Sequence, residues 1–376
     1  MSRLLLLGAT AHEARLIPHL RRLGYATVVA DWNPDGSPLS PARDVADSYV
    51  RISWNDTPRL ADYCRQAGID GIMAGFSEFR VEAMIRLCHA TGLPCDISET
   101  QLALTRDKLL FKNLCRQCGL PVTDDPVIPT PDAFPLIVKP ADRAGSIGIS
   151  VVRDKENLKA ALDYARSLSP SGSAVCERFM DGWRKVDLYY LLQRGRSVLV
   201  ASDETLMIPP SATGGYELCQ GAWLFPMTDC EAWQRKCGDG MERLFRTLGL
   251  KEGIVAVSAM RKGDDFRIFE CALRLGGEHA YRYTERAFGV SFLARLAARA
   301  VGLDPQPCDY SSPRPLHMLM VNGYDMSCET PQQMPLASLV AGSPDALMRR
   351  LDSRPLSADN LVTPSRDDLA RFIETR

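Results

Sequence analysis

The first hundred residues alternate short, largely apolar runs with amphipathic stretches. Three of the short runs end at Gly8, Asp31 and Gly75, and in the longer stretches apolar residues recur every three or four positions. The pattern predicts strands at 4–7, 26–30 and 70–74 and helices at 16–23, 57–67 and 79–92. Strands that alternate with helices are typical of an α/β fold, so we expect a doubly wound parallel sheet over residues 1–100.

The pattern changes after residue 100, where hairpins replace the alternation of strands and helices. The predicted strands are at 136–139, 174–179, 186–192, 198–201, 254–260 and 266–270. One predicted helix begins at Asp107, and three others span 158–168, 230–248 and 285–301. In the second hairpin, a five-residue turn would pair residue 260 with residue 266. Proline becomes frequent beyond residue 302, and we expect residues 303–376 to form an extension packed on the core.

Composition narrows the class of protein. The chain has 376 residues, 45% of them hydrophobic and 24% charged, and its 45 basic and 46 acidic residues leave a formal net charge of -1. A nearly neutral chain has no global attraction for nucleic acid or an anionic membrane. Any anionic ligand must therefore be bound by a local cluster of charge.

Hydropathy and cysteine usage predict a cytoplasmic protein. No apolar stretch is long enough to span a bilayer, and the run Leu4–Leu7 is too short for a signal peptide. Twelve cysteines in a chain of this size suggest reduced thiols in a reducing compartment. The close pair Cys115 and Cys118 lies on a helical pattern, which favours buried thiols over a zinc or redox site.

The strand ends of the N-terminal sheet offer weaker signals. The turn from Gly8 to His12 lacks the G-x-G-x-x-G fingerprint, which disfavours a dehydrogenase. Asp31 and the segment 75–78 still follow strands at the sheet edge where α/β proteins bind ligands. Ordinary surface loops, with Asp31 as a cap, explain the same residues equally well.

A lysine followed by a glycine-containing loop is the most informative segment. Lys139 ends a predicted strand, and Gly145, Ser146 and Gly148 follow it. Glycines let backbone N–H groups approach phosphate oxygens while an ammonium supplies charge, so the segment suits a polyphosphate. The alternative is a glycine hairpin with a surface lysine. If Lys139 serves a phosphate, we expect it to have no essential structural partner.

The order of four segments resembles the ATP-grasp superfamily of ATP-dependent carboxylate–amine ligases. The segments are Thr105-Arg-Asp-Lys108, Ile137-Val-Lys-Pro-Ala-Asp142 with Gly145-Ser146, Cys176-Glu-Arg-Phe179, and Phe269-Glu-Cys-Ala-Leu-Arg-Leu-Gly-Gly277. The resemblance implies a two-lobed α+β ATP-grasp fold after the N-terminal sheet. It implies an N-terminal domain at 1–100 and a catalytic domain at 101–302, with a mobile lid at 122–190.

The resemblance also implies roles for individual residues. Lys108 and Lys139 would contact nucleotide phosphates beneath a loop containing Gly145, Ser146 and Gly148. Glu177, Arg178 and Phe179 would form the hinge strand beside adenine, and Asp187 would be the acid near the ribose, with Asp181 as its alternative. Glu270 would bind Mg²⁺, and Arg274 would neutralise the transferring phosphoryl group.

Two departures concern the metal site. The superfamily usually has E-x-N where this chain has Glu270-Cys-Ala272, and it usually has an acid where Ser258 stands. We expect Ser258 and Glu270 to lie on the same face of the hairpin, so both ligand losses fall in one place. The sequence therefore predicts weaker or single-metal coordination.

The resemblance implies an ADP-forming ligase with ATP and Mg²⁺ as cofactors. It would join a small-molecule carboxylate to an amine through an acyl phosphate, with amino acids or small peptide acids as substrates and a homodimer as one arrangement. No nucleic acid or membrane partner is expected. The alternatives are an ATP-grasp enzyme with another acceptor, carboxylating or phosphorylating, and a noncatalytic nucleotide-binding protein. Ser77, Glu78 and residues 203–216 are candidates for the acceptor pocket, and His279 is a further one.

Overall fold

The computed structural model describes residues 1–124, 134–143, 147–207, 220–276, 280–305 and 316–319. Gly145, Ser146, His279, most of the segment 203–216 and most of the extension 303–376 lie outside these residues. None of the described helices is long and apolar enough to cross a membrane.

The N-terminal part is a parallel sheet with helices on both faces. Its strands lie in the order β3-β2-β1-β4, and all pairs are parallel, as the alternating pattern predicts. The elements are β1 (Arg3–Leu7), α1 (Ala11–Arg22), β2 (Ala26–Ala30), α2 (Ala42–Val45), β3 (Ser48–Val50), α3 (Thr57–Ala67), β4 (Gly71–Met73) and α4 (Glu78–Thr91).

The two faces of the parallel sheet belong to different cores. Leu4 and Leu6 face the core that contains α1, whereas Leu5 and Leu7 face the core that contains α3 and the end of α4. Because strand side chains alternate between faces, a strand buried on both sides is apolar throughout. This explains the uninterrupted leucine run of β1 and confirms the predicted doubly wound sheet.

Two helices lead from this sheet into two antiparallel sheets. The elements are α5 (Glu99–Arg106), α6 (Lys108–Gln117), β5 (Leu136–Pro140), β6 (Ser150–Val152), α7 (Lys155–Leu168), β7 (Ala174–Arg178), β8 (Arg184–Gln193), β9 (Arg196–Met207), β10 (Gln220–Phe225), α8 (Cys230–Thr247), β11 (Gly253–Lys262), β12 (Asp265–Ala272), α9 (Ala280–Phe288), α10 (Phe292–Ala300) and β13 (Leu316–Leu319). The small sheet has the order β6-β5-β7, and the large sheet has the order β12-β11-β8-β9-β10-β13.

The large sheet packs on its own core. Trp233 and Phe245 of α8 are fully or almost fully buried against strand residues such as Tyr190, whose hydroxyl accepts a hydrogen bond from the Trp233 ring at 2.6 Å. Phe111 and Cys115 of α6 join the same core. Cys115 and Cys118 are both buried, and the nine cysteines in the described part of the chain have free thiols.

Two local predictions were wrong. The stretch 285–301 is not one helix, because Gly289 follows α9 with a φ of +73° and Ser291 then caps α10 by accepting a hydrogen bond from the Ala294 N–H. The second hairpin turns tightly at Gly263 and Asp264, so that residue 260 pairs with Arg267 rather than with residue 266.

Candidate functional site

Backbone contacts bring the two predicted phosphate lysines together. The Asp107 carboxylate caps α6 by accepting from the N–H groups of Leu109 and Leu110 at 2.9 and 3.0 Å. The N–H of Lys108 donates to the carbonyl of Ala141, directly after β5, at 3.0 Å. The first turn of α6 is therefore held at the strand end that carries Lys139.

Lys108 lies in a buried, mixed-charge environment. Its side chain is mostly enclosed, and its ammonium donates to the carbonyl of Arg143 at 2.8 Å, next to the glycine-containing loop. Burial lowers the pKa of Lys108, and the nearby Lys139 ammonium lowers it further, while the Glu270 carboxylate opposes both effects. The ammonium thus sits where an added anion would be favoured.

Lys139 has a buried structural partner, contrary to the expectation from the sequence. Its ammonium lies 2.6 Å from Oε2 of Glu177 and 5.1 Å from the centre of the Phe269 ring. Glu177 stands directly beside this strand on β7, where Ile137 is its paired residue. A buried lysine needs a counter-charge, and the spacing of residues along the sequence does not reveal that Glu177 supplies it.

The other carboxylate oxygen of Glu177 accepts hydrogen bonds from two residues that were not among the predicted site residues. Lys112 donates to Oε1 at 2.5 Å and Thr123 donates to it at 2.8 Å. Burial alone would raise the pKa of Glu177, but the ammonium groups of Lys139 and Lys112 lower it to about 2. A signal for Lys112 existed, because it shares the buried stripe of α6 with Phe111 and Cys115.

The predicted hinge uses its N–H groups within the protein. The Arg178 N–H donates to the Asp124 carbonyl at 3.2 Å, and the Phe179 N–H donates to the Pro135 carbonyl at 2.9 Å. The side chain of Glu177 points toward Lys112 and Lys139. We call these three residues and Lys108 the lysine cluster. These N–H groups could donate to a nucleotide base only if their hydrogen bonds to the Asp124 and Pro135 carbonyls were broken.

A β-bulge places Ser258 directly opposite Glu270. The register of the hairpin shifts between Ser258 and Ala259, so that Phe269 is the extra residue of β12. Without this shift, the tight turn would put Glu270 on the other face from Ser258. The predicted shared face is thus correct, although the predicted turn is not.

Asp187 is the next residue in the same row across the large sheet. It pairs with Ser258 on one side and with Asp203 on the other. The Ser258 hydroxyl donates to one oxygen of Asp187, and the Lys185 ammonium contacts the other. The row therefore presents three carboxyl groups and one hydroxyl on a single face.

Arg274 is paired with an acid of the N-terminal sheet. Its guanidinium lies 3.6 Å from Oε1 of Glu78, at the start of α4, and donates to the carbonyl of Leu275 at 2.9 Å. Burial raises the pKa of Glu78, and the nearby Glu270 carboxylate adds to this effect against the opposing charge of Arg274. Glu78, an acceptor-pocket candidate without an assigned chemistry, thus joins Glu270 and Arg274.

A cavity of about 80 Å³ lies beside this group. Arg274, Leu275 and Ile254 line it from the hairpin region, and Ala74 and Gly75 line it from the end of β4. Part of its wall is thus the strand end at which open α/β sheets bind ligands.

Gly148 has a structural reason to be glycine. Its φ is +81°, and a Cβ there would lie 2.8 Å from Cγ of Pro140. The loop base therefore packs on the strand end that carries Lys139.

The strand end after β2 differs from the lysine cluster. Asp31 accepts from Ser40 and forms a salt bridge of 2.9 Å with Arg43, whose side chain also donates to the carbonyl of Asn33 at 2.7 Å. Asp31, Ser40 and the side chain of Arg43 are buried, and both carboxylate oxygens of Asp31 have partners, whereas Nε of Arg43 has no hydrogen-bond partner among the described residues. The alternative of a structural loop thus describes this segment better than a ligand site does.

The described residues contain no group of three or more His, Cys, Asp or Glu side chains arranged to bind a metal ion. Glu270 is the predicted protein ligand, and it faces Ser258 rather than a second acid.

Comparison with known proteins shows which proteins this chain is similar to. The family described as "Carbamoyl-phosphate synthase L chain, ATP binding domain" matches residues 128–210. The carbamoyl phosphate synthase large chain of Thermus thermophilus is 26% identical over 321 residues, which cover 78% of this chain and 30% of that protein. This chain therefore spans about a third of the length of such relatives.

Solved structures share the fold over most of the chain. N5-carboxyaminoimidazole synthetase from Staphylococcus aureus, complexed with ADP, has a TM-score of 0.71 at 14% identity and covers 100% of this chain and 96% of its own. L-amino acid ligase from Bacillus licheniformis has a TM-score of 0.64 at 18% identity, with 85% and 80% covered. These solved structures show the fold, and the family match over residues 128–210 supports the ATP-grasp superfamily.

Proposed function

We propose that this protein is an ATP-dependent carboxylate–amine ligase that forms an amide or peptide bond and releases ADP and phosphate. The observation that carries the proposal is the convergence of Lys108 and Lys139 with Glu270 and Arg274. Three separate segments supply these four side chains, and Lys108 is close enough to both Lys139 and Glu270 for their charges to shift its pKa. Buried cations beside carboxylates suit a nucleotide polyphosphate with its divalent cation.

In this proposal, ATP lies between the small sheet and the β11–β12 hairpin. Lys108 and Lys139 bind phosphate oxygens, the loop of Gly145, Ser146 and Gly148 covers them, and residues 177–179 line the base. Asp187 lies near the ribose. The residues fit a triphosphate because both ammonium groups are buried and each now contacts a protein oxygen that a phosphate oxygen can replace.

Mg²⁺ would be held by Glu270 and by phosphate oxygens. The bound cation supplies charge neutralisation for phosphoryl transfer. The fit is limited to one protein carboxylate, since Ser258 and Ala272 occupy the other positions.

The reaction requires positioning and charge neutralisation rather than a nucleophilic side chain. A substrate carboxylate oxygen attacks the γ-phosphorus, and the bond to ADP breaks. The amine then attacks the acyl carbon, phosphate leaves, and the amine loses a proton. In this proposal Arg274 neutralises charge on the transferring group, and Glu78, whose Oε1 lies 3.6 Å from the guanidinium, orients it.

We also propose a role for each domain of the chain. Residues 1–100 contribute Glu78 and the cavity wall, residues 101–302 bind nucleotide, and residues 122–190 form a lid that excludes water from the acyl phosphate. Residues 303–376 pack on this core. An amino acid or a small peptide acid is the proposed carboxylate, and the L-amino acid ligase among the structural neighbours supports this choice.

Substrate screening tests the proposal. Purified full-length protein is incubated with ATP, Mg²⁺ and pairs of amino acids, and both ADP and the amide product are measured. We expect ADP release that depends on an acid and an amine together. ADP release that instead requires bicarbonate would favour the carboxylating alternative. ATP binding without ADP release under any condition would favour the noncatalytic alternative, which the replaced residues Ser258 and Ala272 support.

A further inference from the structure

The two oxygens of the Glu177 carboxylate have different partners. Oε1 accepts from Lys112 and Thr123, at 2.5 and 2.8 Å, whereas Oε2 lies 2.6 Å from the Lys139 ammonium. Glu177 and Lys112 are almost completely buried, with side chains 2% and 0% exposed. One carboxylate therefore lies between two ammonium groups in the interior.

This arrangement has an excess of positive charge. Charge pairing in the interior is strong, and a buried carboxylate that loses its only cation is costly. Glu177 does not face that cost when Lys139 moves away, because Lys112 and Thr123 still hold its other oxygen. Lys139 is the more exposed of the two lysines and lies on the strand that leads to the glycine-containing loop.

We infer that Lys112 is a positioning residue that keeps Glu177 neutralised, so that Lys139 can exchange its carboxylate partner for a nucleotide phosphate. The inference rests on the proposed function, since it requires a phosphate at Lys139. Lys112 itself contacts no nucleotide in this scheme. Its effect on binding passes through Glu177.

The inference predicts an unusual pattern of rescue. In Lys112→Met, Glu177 depends on Lys139 as its remaining cation, so the two bind each other more tightly and phosphate competes less well. The Kd for ATP with Mg²⁺ should rise about tenfold. In Lys112→Met/Glu177→Gln, the competing carboxylate is gone and Lys139 is free for phosphate. The Kd should return to within about threefold of the wild-type value.

Calorimetric titration of the full-length variants with ATP and Mg²⁺ measures these values. Lys112→Arg, which keeps the charge, should remain close to the wild type. Lys159→Ala is the matched control, because Lys159 is an exposed lysine that pairs with Asp163 on the surface of α7. Thermal unfolding confirms that each variant is folded at the assay temperature. If Lys112→Met does not fold, Lys112→Gln, which can still donate to Glu177, replaces it in both the single and double variants.

The outcomes separate the two claims. Wild-type affinity in the folded single variant would overturn the inference, and so would equal weakening in the single and double variants, since that would make Lys112 merely structural. Failure of the wild-type protein to bind ATP would overturn the proposed function instead. Weak binding in the single variant with recovery in the double variant is the result that we expect.

Discussion

Two polar clusters lie at strand ends of this molecule, and they differ in how their charges are balanced. After β2, the buried Asp31 is matched by Arg43, Ser40 and Asn33, and the second acid beside Arg43, Asp35, is 64% exposed to solvent. In the lysine cluster, two ammonium groups contact the one carboxylate of Glu177. A balanced cluster stabilises its loop, whereas a cluster with excess positive charge can gain further stabilisation from an anion. Charge balance therefore separates a structural strand end from a candidate ligand site.

The largest effect is expected at Glu270. In Glu270→Gln, ADP production should fall by a factor of about 100 or more, because the proposed metal ligand loses its charge. ATP binding should be largely retained, since Lys108 and Lys139 remain. Coupled assay of ADP release measures the first and calorimetry the second. Glu231→Gln is a suitable control, because the Glu231 side chain is 92% exposed. Wild-type turnover in Glu270→Gln would show that this hairpin does not bind the catalytic metal.

The balanced cluster should behave in the opposite way. Arg43→Ala leaves the buried Asp31 without its cation, which we expect to lower the free energy of unfolding by about 3 kcal/mol. ATP affinity of the folded protein should stay unchanged. Denaturant unfolding and calorimetry on the same preparation test both statements. A large loss of ATP affinity without a loss of stability would show that this strand end is a ligand site after all.

The lysine cluster also predicts a pH dependence of stability. The pKa of Glu177 is about 2 in the folded protein, below its ordinary value of 4.5. The ionised carboxylate therefore stabilises the fold above about pH 4.5, and this stabilisation is lost as the pH falls toward 2. The loss is on the order of 3 kcal/mol. Urea unfolding between pH 6 and 3 should show a smaller decrease in Lys112→Met/Glu177→Gln than in the wild type. Equal slopes would contradict the assignment.

The smallest effect concerns the loop that begins beside Lys139. Gly148→Ala should lower the free energy of unfolding by about 2–3 kcal/mol, because a positive φ and a clash with Pro140 add together. Gly182→Ala is the matched control, since its φ is +71° and the space around it is open. It should cost only about 1 kcal/mol. Equal losses would show that packing on Pro140 does not matter.

Hydrophobic periodicity predicted the parallel N-terminal sheet and the hairpins, and the resemblance implied the ATP-grasp fold. Neither revealed how the buried charges are paired. The leucine run of β1 and the hairpins could be read from the sequence, because burial on one or two faces imposes a period. The break at Gly289 and the bulge at Phe269 were missed, since both depend on local backbone geometry.

The candidate site was partly predictable for the same reason. Lys108, Lys139, Glu270 and Arg274 stand in recognisable segments, whereas Lys112 and Thr123 matter only through Glu177, which is 54 or more residues away in the chain. These contacts form only when β7 lies beside α6 and the segment that contains Thr123, and local sequence patterns do not reveal that arrangement. The available signal for Lys112 was its position among the apolar residues on the buried face of α6. Hydrophobic periodicity does not assign a role to a charged residue at such a position.

The central claim is that the lysine cluster binds the phosphates of ATP. Calorimetric titration of wild type, Lys139→Ala and the surface control Lys159→Ala with ATP and Mg²⁺ tests it most directly. We expect wild type and Lys159→Ala to bind equally and Lys139→Ala to bind at least about 100-fold more weakly. Its fold should be retained, because Lys112 and Thr123 still hold Glu177. Unchanged affinity in folded Lys139→Ala would contradict the account.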